Sequence, residues 1–168
     1  AKLLFKDAQY YLYIGFVFLS QKFSDFIDFA VQFAPNINTT EIIVFDLETT
    51  GLNPYHEKII DYAFVNFNDK NQSIESLVNP ETKFEKKITD ITGIHPDQLI
   101  NKPTINQCLR PIYDFINFDT KKMLHKTLPT RYLVAHNCIG FDRTFLLKEF
   151  YSKVDIYPLV KQWKFIDT

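Results

Sequence analysis

Two carboxylates, Asp46 and Glu48, close the apolar run Ile42-Ile43-Val44-Phe45. The run is β-branched and aromatic, so it predicts a buried strand over Ile42–Asp46. Along a strand, positions i and i+2 point to one face. Asp46 and Glu48 therefore project together, just ahead of a turn at Gly51. Two acids held side by side repel unless a cation lies between them. Hard divalent cations take oxygen ligands of this kind. The pair is a candidate metal site; its competitor is an ordinary strand end with two solvated acids.

The surrounding residues bear on that choice. Phe45-Asp46-Leu47-Glu48-Thr49-Thr50-Gly51-Leu52 resembles the first motif of the DEDD exonuclease superfamily, in its DnaQ-like proofreading branch. Lys58–Val65 is similar to the second strand of that family, and Ile88–Leu99 to its Ile-Thr-Gly-Ile segment. Ala135-His136-Asn137-Cys138-Ile139-Gly140-Phe141-Asp142 resembles its second catalytic motif. The resemblance runs from about Glu41 to Phe150, with the motifs in the family's order. It implies that Asp46, Glu48 and Asp142 are catalytic metal ligands, belonging to a set of four acids that holds two Mg²⁺ or Mn²⁺ ions. It also implies hydrolysis of phosphodiester bonds from the 3′ end. Two such ions can activate a water and stabilise the leaving oxygen in one in-line displacement.

The same resemblance assigns the nucleic-acid contacts. The backbone at Thr49 and Thr50 would meet the terminal nucleotide, Leu52 would pack on its base, and Ile94 would wedge beside it. A turn with free backbone N–H groups suits a phosphate. His136 would support the site rather than act as the base, and Asn137 would bond a sugar or phosphate or fix the loop. Implied partners are single-stranded or 3′-terminal DNA or RNA, and a polymerase or other domains of a longer parent. The implied setting is intracellular, in replication, repair or proofreading, away from membranes.

The family's third motif, a His or Tyr base followed by the fourth acid, has no counterpart here. Trp163–Thr168 resembles the fifth strand that precedes it, and the first residue is Ala. A domain truncated at the C-terminus is therefore expected. Asp155 and Asp167 lack the motif's spacing, and Asp167 reads as a strand-end residue.

The 168 residues suffice for one core-forming domain, and 46% hydrophobic residues argue against disorder. A net charge of −1 gives no overall basic field for duplex binding. Cys108 and Cys138 lack the spacing of a zinc or disulfide framework. Tyr10–Leu19 is apolar but shorter than a membrane span. From Ser24, apolar residues recur at helical spacing to Pro35, and 36–40 read as a linker. Two regions follow: an apolar N-terminal extension over 1–40 and an incomplete exonuclease-like domain over 41–168.

Further strands are expected over Ile59–Phe67, Ser73–Val78 and Arg131–Ala135, the first two joined by a short antiparallel turn. Helices are expected over Thr104–Phe118, strained by Pro111, and from Asp142 to Tyr151. The fold class is α/β: a ribonuclease-H-like mixed sheet flanked by helices. Besides the nuclease, a non-catalytic module of the same fold and a hydrolase with a carboxylate nucleophile remain open.

Overall fold

A computed structural model describes residues 42–67, 69, 71–117, 130–153, 160 and 163–167. The expected N-terminal extension and linker lie outside the described residues. Among the described residues, five strands form one sheet: β1 (Ile42–Thr49), β2 (Ile59–Asn66), β3 (Ser73–Leu77), β4 (Arg131–Ala135) and β5 (Trp163–Asp167). Their spatial order is β3-β2-β1-β4-β5. β1, β2 and β3 pair antiparallel, as their short connections require. β4 returns parallel to β1 after a long crossover, and β5 adds parallel to β4. The mixed sheet thus has the expected form.

Alternation decides which face of the sheet is core. Ile43, Phe45 and Leu47 of β1 join Tyr62 and Phe64 of β2 and Leu133 of β4 in the main apolar cluster. Phe45 stacks on Phe64 with ring centroids 5.3 Å apart. Two helices, α2 (Ile105–Ile116) and α3 (Asp142–Tyr151), contribute Leu109, Ile112, Ile116, Phe145, Leu146 and Phe150 to the same cluster. The positions opposite to Phe45 and Leu47 are those of Asp46 and Glu48, so the acids lie on the other face.

Thr104 starts α2 as expected, its N–H donating to the Gln107 side chain at 2.8 Å. Pro111 sits on the exposed side and the helix continues through it. A bulge between Glu48 and Thr49 shifts the β1–β2 register. Ile60 there leaves the main core and joins Ile94 and Leu99 in a second cluster.

One helix was not expected. α1 (Lys86–Thr92) has no buried residue, and only Ile88 among its side chains packs against the second cluster. Gly93 ends it in the left-handed conformation (φ 74°), donating to the Thr89 carbonyl at 2.8 Å. A Cβ on Gly93 would meet no atom within 4 Å, so only the backbone conformation resists substitution. Gly93→Ala is expected to lower stability by about 1 kcal/mol. A denaturation midpoint that falls at unchanged m-value checks this.

Candidate active site

The acids meet where the parallel strands β1 and β4 end, the usual place for a site in a sheet of this kind. β4 pairs with β1 only as far as Val44. Past that point Asp142, the first residue of α3, takes over: its Oδ1 accepts the Leu47 N–H at 3.1 Å. Asp142 is only 3% exposed, and this bond places it beside the backbone that carries Asp46 and Glu48. Its position in the first turn also favours a negative charge there.

Crowding shows in the electrostatics. Burial pushes the Glu48 carboxyl up to about 7, with the charge of Asp46 adding to it. Burial and then the Asp46 charge push Asp142 up to about 7, against the hydrogen bonds from its own and the Leu47 N–H. Asp46 is raised by loss of water around its carboxyl, while the Leu47 N–H and the charge of His136 pull it down. The Asp46 charge thus makes ionisation of Glu48 and Asp142 harder, a strain that a bound cation relieves. Three hard oxygen donors suit a divalent ion. Among the described residues, no three His, Cys, Asp or Glu side chains already close around one point as ligands.

Sequence reasoning missed a fourth acid in this field. Asp61 stands directly opposite Glu48 across the β1–β2 pair. Burial first, then the charges of Glu48, Glu75 and Asp46, push it up to about 7, against the Tyr62 backbone hydrogen bond. Its alternation with the buried Ile60 and Tyr62 was visible, but its partner across the sheet depends on the bulge.

The turn after β1 is closed by its own side chains. Thr50 donates its N–H to the Lys58 carbonyl at 2.8 Å and accepts the Lys58 N–H on its hydroxyl at 2.9 Å. That hydroxyl donates to Glu57 at 2.5 Å, and Lys148 of α3 donates to the Glu57 carbonyl at 3.0 Å. The Thr49 hydroxyl donates to the Gly51 carbonyl at 2.6 Å. The expected free N–H for a phosphate is therefore not at Thr50, because the turn itself uses it. Held out on this turn, Leu52 and Tyr55 are each 84% exposed.

Ile94, expected to wedge beside a base, is 8% exposed and packs with Ile60 and Leu99. His136 and Asn137 are exposed in the turn between β4 and α3, where Asn137 adopts a left-handed backbone (φ 51°). Asp167 ends β5, as expected of it. Asp155 lies outside the described residues. The groove among Asn79, Phe84, Leu99 and Ile100 holds none of these acids.

Comparison with known proteins places this arrangement. The RNase_T family, described as exonuclease, matches residues 43–168. The chain is similar to the PolC-type DNA polymerase III of Clostridium perfringens, 32% identical over 110 residues, which are 64% of this chain and 7% of that protein. It is 35% identical over 111 residues to the same polymerase of Halalkalibacterium halodurans, again 64% of this chain and 7% of that protein. Among solved structures, the zinc-bound E. coli exonuclease I–ssDNA complex shares the fold. The TM-score is 0.58 at 15% identity, over 75% of this chain and 27% of that one. The chain thus spans a small part of each of these proteins.

Proposed function

We propose, from the premise that this chain belongs to the RNase_T exonuclease family, that it removes nucleotides from the 3′ end of single-stranded DNA. The observation that supports the reading is the 3.1 Å bond from the Leu47 N–H to Asp142, which sets Asp142 beside the strand that carries Asp46 and Glu48. Asp46, Glu48 and Asp142 would hold two divalent ions, Mg²⁺ or Mn²⁺. Bound there, the ions supply an activated water and a stabilised leaving oxygen. The chain's own residues supply position. Asp142 is fixed by Leu47, and the Thr50–Glu57–Lys148 contacts fix the turn that presents Leu52 and Tyr55. These two exposed apolar side chains suit the faces of unpaired bases.

DNA is favoured over RNA by the relatives, which are DNA polymerases, and by the ssDNA held in the exonuclease I complex. The same relatives support a place inside the cell, within or beside a replicative polymerase. Among the described residues, no helix is long and apolar enough to cross a membrane.

The test is cleavage of 5′-labelled single strands of DNA and RNA by the full protein, with Mg²⁺, Mn²⁺ or EDTA. A ladder shortening from the 3′ end only with metal supports the reading. No cleavage under any condition moves it to a non-catalytic module of the same fold. Leu52→Ala is expected to weaken binding of single-stranded DNA by about 1 kcal/mol, roughly fivefold. Fluorescence anisotropy with a labelled oligonucleotide measures this, and unchanged affinity removes Leu52 from the contact surface.

A further inference from the structure

We infer that Asp167 is a positioning residue: its carboxylate holds the turn between β4 and α3 and so sets Asp142 against β1. What Asp142 then does rests on the nuclease reading; what Asp167 does rests on geometry alone. Its Oδ1 accepts the N–H of Cys138 at 3.0 Å, and its Oδ2 accepts the N–H of Ile139 at 3.2 Å. Both oxygens of one carboxylate thus take two successive backbone donors, a charge-assisted pair.

The topology explains why an acceptor is needed there. β4 and β5 pair as far as Ala135 opposite Asp167, and β4 ends at that residue. The chain leaving β4 has lost its sheet partner, and its N–H groups need others. Asn137 turns the backbone through its left-handed conformation, and Cys138 is wholly buried. The peptide unit joining Cys138 to Ile139 is then held at both ends. Its N–H donates to Asp167, and its carbonyl accepts the N–H of Arg143, next to Asp142, at 3.0 Å. From there Asp142 reaches the Leu47 N–H at 3.1 Å. An unbroken run of hydrogen bonds and backbone therefore leads from the end of β5 to Leu47, near the end of β1. Burial first, then the charges of Asp142 and Asp167, pushes the Cys138 thiol up to about 12, so both carboxylates act on it.

The test uses the full protein. In Asp167→Asn, one oxygen becomes an NH₂ group facing an N–H, so one of the two bonds is lost. Three results are expected. Hydrogen exchange at the Cys138 and Ile139 amides speeds up while the strand amides of β1 stay protected. Mn²⁺ binding, read by the free-ion EPR signal, weakens by about 10- to 100-fold. The rate at saturating DNA falls, with KM unchanged and with partial recovery at high metal concentration. Unchanged Mn²⁺ affinity, or exchange that rises equally across the whole sheet, overturns the inference.

If Asp167→Asn does not fold, Asp167→Glu decides: it keeps both oxygens but displaces them by one methylene. A folded Asp167→Glu protein with weaker Mn²⁺ binding supports the inference; wild-type affinity overturns it. A wild-type protein that neither binds Mn²⁺ nor cuts DNA overturns the nuclease reading instead, and the exchange at Cys138 and Ile139 still reports on the clamp.

Discussion

Asp142→Asn in the full protein is expected to lower metal-dependent cleavage by about 10³-fold while the protein stays folded. The two parts of that result have separate causes. An Asn oxygen can still accept the Leu47 N–H that Asp142 accepts at 3.1 Å, so the link between α3 and β1 survives. The change removes one negative charge from a group that also includes Asp46 and Glu48. Charge stabilisation by a bound divalent ion contributes several kcal/mol to a transition state. At about 1.4 kcal/mol for each tenfold, three orders of magnitude follow from weakening it. Asp46→Asn should match it, since Asp46 raises both of the other carboxyls. Single-turnover cleavage beside a thermal melt measures both parts. A folded Asp142→Asn protein that cuts within tenfold of wild type would remove Asp142 from the ligand set.

Without metal, the stability of the protein should fall as pH rises from about 5 to 8. That is the opposite of the usual behaviour of paired carboxylates. Glu48, Asp61 and Asp142 are each pushed up to about 7 in the folded chain, from 4.5 for Glu48 and 3.8 for the two Asp. Between about 4 and 7 the folded state therefore holds more protons than the unfolded one. Stability then decreases with rising pH through that window. Well below 3.8 all three groups are protonated in both states, and the penalty is absent. It is complete only well above 7, where all three are ionised in both states.

One unit of pKa corresponds to about 1.4 kcal/mol. The acids share one mutual repulsion and are partly screened by water, so the fall is on the order of a few kcal/mol rather than the sum of three shifts. Adding Mg²⁺ at pH 8 should restore much of it, because an ion that binds only the folded state stabilises that state. Urea titrations at pH 5, 6, 7 and 8, in EDTA and in Mg²⁺, measure both effects. Stability that climbs to pH 8 in EDTA would mean the acids are not crowded as described.

Asp61 separates charge crowding from catalysis. It shares the repulsion of the site, standing opposite Glu48, but lies in the segment similar to the family's second strand, to which no metal ligand is assigned. The pH effect on stability thus rests on Glu48, Asp61 and Asp142, whereas the loss of cleavage on substitution is assigned to Asp46, Glu48 and Asp142.

Much of the site is legible in the amino-acid sequence. The spacing of Asp46 and Glu48, the strand that presents them, the start of α2 at Thr104 and the place of Asp142 at the head of α3 all follow from contiguous residues. Strand alternation, helix spacing and capping act over a few residues, so a short string carries them. α1 was hidden because its sequence, Lys86–Thr92, shows a weak apolar pattern and buries no residue fully. The remainder was decided by which surfaces meet. Asp61 faces Glu48 only because a bulge sets the register between two strands. Ile94 became core only because Ile60 and Leu99 converge on it. The Thr50 hydroxyl was claimed by Glu57, and the Asp167 carboxylate by two backbone N–H groups at the far end of a crossover. Strand register, burial and the partner of a polar side chain are properties of two distant segments at once, and neither segment encodes the other's position.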